Sequence, residues 1–220
     1  MKISTITVTG PDAFEFLQGQ LSNDLARLET EAEILAAWCN PKGRVIWFGT
    51  VWSTDTGFGL SALAETAESI VQRLTMFRFR SKVEFDIVDD GVTVDPTGLI
   101  YGGYPCIGAE QSEQFTPHML NLDLLDAVSF DKGCYTGQEI VARTHYKGAT
   151  KRRTHRFESE KPVSAGDKVS LDGRNIGEVL NASGHNLLAV IPVSNADGPL
   201  SVNDSELTLV PLPYLDVATI

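Results

Sequence analysis

The chain has 220 residues, 42% of them hydrophobic, and its 29 acidic and 18 basic side chains leave a net charge of −11. That is enough apolar material for one large or two small domains with a real core. The acidic balance argues against a surface devoted to phosphate backbones, whose affinity comes largely from clustered Lys and Arg, and apolar runs broken early by Gly, Pro or charge exclude a helical membrane span. The opening "MKISTITVTGPD" lacks the apolar centre of a secretory signal. Cys39, Cys106 and Cys134 are an odd, widely scattered set without metal-ligand spacing, so no metal is expected and a reduced, cytoplasmic setting fits.

Residues 3–8 alternate as a short strand. "GPDAFEFLQGQLSNDL" then reads as a turn and a helix, with Asp12 as a plausible cap and Gly19 near the stop. "EILAAWCN" and "RVIWFGTVW" predict two strands joined by the Pro-Lys-Gly turn at 41–43. Leu63, Ala67, Ile70, Val71 and Leu74 fall on one helical face, with Ser61 just ahead as a candidate cap. "FRFRSKVEFDIV" returns to period two, predicting a strand with Arg78, Arg80 and Lys82 on a solvated face opposite Phe77 and Phe79. After Ala149, short β-rich pieces alternate with "SAGD", "LDGRN", "ASGHN" and "NADGP", the turn spacing of a small barrel or sandwich. "KGATKRRTHR" joins the parts and carries five cations and no acid, either a solvated linker or an anion-binding edge. Two domains are expected, 1–148 and 149–220.

The stretch "SFDKGCYTGQEIVARTHYKG" carries the chemistry. Thr136 and Glu139 stand three apart, the spacing of a capping box, which predicts a helix from Gly137 and puts Cys134 just outside it. The positive end of a helix and the charge of Lys132 both favour thiolate over thiol, the condition for a nucleophile, redox centre or metal ligand. Gly133 and Gly137 allow close approach of a ligand or another backbone. A lone cysteine is also, more plainly, a small buried hydrophobe, and both readings stay open. His145 and His155 are candidate partners only by proximity. Cys39 reads as core and Cys106 as structural, and "YGGY" lacks both the P-loop lysine and the dinucleotide spacing.

"KGCYTGQE" resembles the signature of the YgfZ family, folate-binding relatives of the glycine-cleavage T-protein that support iron–sulfur enzymes. "TGPDAFEFLQGQLSNDL" is similar to the family's opening segment, "AAWCNPKGRVIWF" to its next strand pair, and "SKVEF" to a following strand. The block from Gly102 to Gly148 and the late "PLPY" also match, so nearly the whole chain is covered in order. Bacterial members carry a middle domain after the strand near Val83–Val88, where this chain has only "DDGVTVDPTGLI", so it resembles a compact member lacking most of that domain.

The resemblance implies an α+β fold: a T-protein-like N-terminal domain with antiparallel sheet and packed helices, then a small C-terminal β-barrel. It implies tetrahydrofolate or a derivative as ligand and iron–sulfur client proteins, including tRNA-modifying enzymes, as partners, with neither direct nucleic-acid binding nor a membrane. Cys134 would be the essential thiol; Lys132, Gly133, Tyr135, Gly137, Gln138, Glu139 and Arg143 would complete the motif or meet folate, Arg143 pairing with Glu139 or with the folate's anionic tail. T-proteins carry acidic residues where Trp47 and Phe48 stand here, which disfavours simple aminomethyl transfer. That transferase activity, and a non-catalytic tRNA-binding module resting on the basic stretches, are the rival readings.

Overall fold

The computed structural model describes residues 1–148 and 150–215. Ala149, at the expected domain boundary, and 216–220 lie outside the described residues. The chain divides into two compact units. The first is built from Met1–Val94, Ile107–Pro117 and Leu122–Arg143, the second from Asp95–Cys106, His118–Asn121 and the chain from Thr144 on.

The first unit is an antiparallel sheet of β1 (Ile3–Thr9), β2 (Glu33–Cys39), β3 (Val45–Thr54), β4 (Gly57–Leu63) and β5 (Glu84–Val88), in spatial order β2-β3-β4-β1-β5. In β1 the alternation of the sequence becomes alternation of burial, with Ile6 and Val8 fully buried. Helices α1 (Ala13–Gln18) and α2 (Ala64–Phe77) add Phe16, Leu17, Ala67, Ile70 and Leu74 to the same core, where Trp38, Val51 and Leu60 also lie. Helix α4 (Gln138–Lys147) begins in this unit.

Three local expectations are corrected here. Ser61 is no helix cap. It sits inside β4, a strand the sequence reading passed over, and its hydroxyl accepts the Thr50 amide (2.8 Å) while α2 starts at Ala64. Asp12 stands at the N-cap of α1 without a side-chain capping bond; its carboxylate instead accepts the Lys82 amide at 2.7 Å. "FRFRSK" is not strand: α2 runs on through Phe77, and residues 78–83 turn before β5 opens at Glu84. The period-two pattern there falls on residues that alternate in a turn, where alternation has no structural meaning.

The second unit is a closed antiparallel barrel of β6 (Arg152–Ser159), β7 (Lys168–Leu171), β8 (Arg174–Ser183), β9 (Asn186–Pro192), β10 (Leu200–Val202) and β11 (Ser205–Val210), in the order β10-β11-β6-β9-β8-β7. Closure leaves no open sheet edge, and Phe157, Val169, Val179, Leu187, Ala189, Ile191 and Leu207 fill the interior. Helix α3 (Pro96–Gly102) belongs to this unit, capped by the Asp95 carboxylate on the Thr97 amide and stopped by Gly103 in the left-handed region (φ 71°). Asn181 of β8 acts as a substitute strand for Cys106, accepting its amide (2.8 Å) and donating to its carbonyl (2.9 Å). The Tyr214 hydroxyl of "PLPY" donates to the Gly103 carbonyl at 3.1 Å. The architecture is thus the expected α+β mix of antiparallel sheet with helices and a small barrel. Among the described residues no helix is long and apolar enough to cross a membrane.

Candidate functional site

The site is organised by two irregular segments of the first unit, 18–24 ("QGQLSND") and 127–137 ("AVSFDKGCYTG"). Neither has a full ladder of backbone partners, so each must satisfy buried amides and carbonyls otherwise, and they do it on each other. The Ser22 hydroxyl accepts the Ala37 amide (2.8 Å) and donates to the Ala127 carbonyl (2.6 Å), while the Ser129 amide donates to the Ser22 carbonyl (2.9 Å). Asn23, fully buried, donates from Nδ2 to the carbonyls of Leu35 (2.7 Å) and Asp126 (2.8 Å).

Lys132 closes this junction. Its ammonium is buried and donates to three carbonyls, those of Gln18 (2.7 Å), Leu21 (2.8 Å) and Asn23 (2.9 Å). Burial pushes its pKa down to about 8, with the charge of Asp24 opposing. Three acceptors around one nitrogen are all met only by the three-proton form, so geometry and pKa agree on a charged lysine at neutral pH. The three protons of Lys132 are committed to main-chain carbonyls, so it can act on a neighbour only through its charge. Its Nζ also lies 5.4 Å from the centroid of the Tyr135 ring.

Tyr135 is buried, its pKa raised by burial first and by Cys39 second, and its hydroxyl has no hydrogen-bond partner among the described atoms. Gly137 has φ 84°, and a Cβ there would stand 2.5 Å from the Asn40 carbonyl oxygen and 3.2 Å from the Cα of Gly43. This is the close approach expected of the motif, and it is made to the β2–β3 turn. Gly133 differs: a Cβ added there would meet nothing within 4 Å. Cys134, between the two, is exposed.

The capping box is not formed. The Thr136 hydroxyl donates to Gln20 Oε1 (3.2 Å) and its amide to the Gly19 carbonyl (3.3 Å), which turns Thr136 toward the 18–24 segment and away from the helix. The Tyr135 amide instead points at Gln138 Oε1 (3.4 Å), and α4 starts at Gln138, one residue later than expected. Glu139 and Arg143 are both exposed on α4, and no ion pair joins them among the described residues.

The sequence reading missed Glu113. It lies in a turn with φ 64°, its Oε2 ion-paired to Arg73 (2.6 Å) and its Oε1 accepting from Asn40 Nδ2 (2.8 Å). Those two bonds, Arg73's first, hold its carboxyl below the usual range. Asn40 in turn fastens the β2–β3 turn, accepting the amides of Lys42 and Arg44 at Oδ1 (2.9 and 3.0 Å). The turn under Gly137 is thus tied to a preset carboxylate. The one signal available in sequence was Asn40 ahead of Pro-Lys-Gly, the usual residue for such a turn. Trp47 and Phe48 occupy β3 as expected, with Trp47 buried and donating to the Ser61 carbonyl (2.9 Å).

No family model matches the chain. It is 29% identical to the "tRNA-modifying protein YgfZ" of Serratia proteamaculans over an alignment taking in 95% of this chain and 89% of that protein. The corresponding protein of Pectobacterium atrosepticum is 28% identical, with 94% and 88% covered. The chain is a relative of the YgfZ proteins. The alignment with the Serratia YgfZ spans 294 positions against 220 residues here, so the YgfZ relatives carry segments that this compact chain lacks. Among solved structures, the glycine cleavage system aminomethyltransferase T of Bartonella henselae superposes with a TM-score of 0.72 at 15% identity, over 97% of this chain and 84% of that one. The YgfZ-like chain therefore has the T-protein fold.

Proposed function

We propose that the chain is a folate-binding accessory factor, working in the cytoplasm on the assembly or repair of iron–sulfur proteins, tRNA-modifying enzymes among them, with Cys134 as its working thiol. The observation that carries this reading is a division of labour within one loop. Lys132, Tyr135, Thr136 and Gly137 are engaged in building it, and Cys134 is left exposed on it. The printed names of the relatives, tRNA-modifying proteins, support the direction.

The residues around the loop fit a folate in kind. Glu139 and Arg143 are exposed on one face of α4 and uncommitted to each other, offering a carboxylate for a pterin amine and a guanidinium for an acidic tail. Gln138 flanks them. Gly137 is packed against the turn and offers no space, and Lys132 is already spent. Folate, when bound, would supply one-carbon or redox chemistry. The chain's own contribution is an accessible thiol held on a rigid base. A cluster usually takes four cysteine ligands and this chain has three cysteines, with Cys39 buried, so cluster chemistry would be shared with a client.

In cells lacking this gene, the activity of iron–sulfur enzymes that thiolate tRNA should fall, above all under oxidative stress. The wild-type gene should restore it and Cys134→Ala should not; full rescue by the alanine variant would reduce the protein to a scaffold. Titration with tetrahydrofolate should show saturable binding that Arg143→Ala weakens. Turnover of aminomethyl donors by the purified protein would instead favour the transferase reading, despite Trp47 and Phe48.

A further inference from the structure

The turn between α2 and β5 is, like the 147–156 stretch, a basic segment within an acidic chain. Between Glu68 and Glu84 no acid occurs, while Arg73, Arg78, Arg80 and Lys82 do. Phe79 is 87% exposed and Met76 66% exposed, the two most exposed large apolar side chains among the described residues. Phe79 also has φ 44°, a left-handed backbone that a bulky residue adopts at a cost. A strained, fully displayed phenylalanine contributes nothing to the core.

The turn is nonetheless held firmly. Phe77 packs edge-on against Trp38 at 5.7 Å between ring centroids, and Arg78 Nη1 donates to the Val83 carbonyl (3.1 Å). The Ser81 amide donates to the Arg78 carbonyl (2.8 Å), and the Asp12 carboxylate accepts the Lys82 amide. Arg80 and Lys82 are exposed and form no ion pair among the described residues. An apolar tip with cations around it is thus presented in a preset shape, which lowers the ordering cost of binding.

We propose that the Met76–Lys82 turn is a docking surface for a partner protein that presents an apolar epitope rimmed with acids. Charge complementarity calls for an anionic partner, and the acids nearby decide which kind. Glu84 and Asp86 follow directly and are exposed, while Asp89, beyond β5, is already paired with Lys2 (2.6 Å). A bilayer or a nucleic-acid strand is an extended polyanion and would lie across those acids as well as the cations. A protein can confine its negative charge to the small area that meets Arg80 and Lys82. Phe, Met and Arg are also the side chains enriched in protein interfaces, where an aromatic anchor carries much of the binding energy. So few residues give a small, transient contact. The inference is independent of the role given to Cys134.

The test is fluorescence anisotropy on the full chain, with a labelled synthetic helical peptide of leucine and glutamate as probe. The peptide should bind, and more weakly as salt rises. Phe79→Gly, which suits the left-handed backbone and so keeps the fold, should weaken binding roughly tenfold or more, and Arg80→Glu with Lys82→Glu should do the same, with melting temperatures held. Binding no better than that of a glycine–serine peptide, or variants equal to wild type, would overturn the proposal. Tighter binding of phosphatidylcholine–phosphatidylglycerol vesicles, or of oligouridine RNA, than of the peptide would overturn it too and reassign the surface to lipid or RNA.

Discussion

Lys132 and Gly137 explain why the motif around Cys134 reads as it does. The lysine supplies three protons to three carbonyls that no strand or helix satisfies, so Lys132→Met should remove about 2–5 kcal/mol of stability, given hydrogen bonds to a charged group of about 1.5–3 kcal/mol each and partial relaxation. Urea denaturation measures the loss, and hydrogen exchange should rise first in 18–24. The two glycines separate cleanly. Gly137→Ala meets the Asn40 carbonyl and a left-handed backbone and should cost roughly 1–3 kcal/mol. Gly133→Ala meets open space and should stay within about 0.5 kcal/mol of wild type. Equal melting temperatures for the two variants would contradict the packing of Gly137 on the turn. Both glycines stand out in sequence as part of a motif; that only Gly137 is needed for its backbone is decided by the fold.

At the scale of elements, β6 carries a pH response. His155 lies opposite Ala189 of the neighbouring strand β9, is buried, and its Nε2 has no partner among the described atoms. Burial pushes its pKa down, Arg153 adds to the shift and Asp197 opposes it. A histidine depressed in the fold binds its proton more readily when unfolded. Its stabilising contribution is therefore complete above the unfolded value of about 6.5 and is lost as pH falls through the folded one. Chemical denaturation of the wild type should show stability declining below about pH 6.5, and His155→Phe should flatten that limb; an unchanged acid limb in the variant would assign it to other groups. Elements with strong periodicity, β1, β2, β3 and α2, were legible because apolar spacing and burial share one cause. The 78–83 turn was misread because charged and aromatic residues alternate there without a sheet, and β4 was missed because Gly57, Gly59 and Ser61 dilute its alternation.

For the molecule as a whole, the three thiols should form a sharp order. Burial pushes Cys39 up to about 12 and Cys106 up to about 11, whereas Cys134 is exposed. Alkylation of the native protein with iodoacetamide, followed by peptide mapping, should label Cys134 first, half-buried Cys106 more slowly and Cys39 only on unfolding. Labelling of Cys39 at a comparable rate would mean that the first unit opens locally. The interleaved division of the chain, with 95–106 and 118–121 counted with the barrel, could not be read from composition, because the assignment depends on contacts between segments distant in sequence.

Sequence by itself determined the fold class and the family resemblance, because these are carried by local spacing and contiguous motifs. Tertiary structure decided which partners Lys132, Thr136 and Gly137 take. Thr136 was a cap by its spacing to Glu139 and became a bridge to Gln20; Lys132 was a neighbouring charge and became the tie to three carbonyls. In both cases the partner lies more than a hundred residues away along the chain. A buried polar group takes whichever partner the fold brings within reach, and local spacing says nothing about that partner.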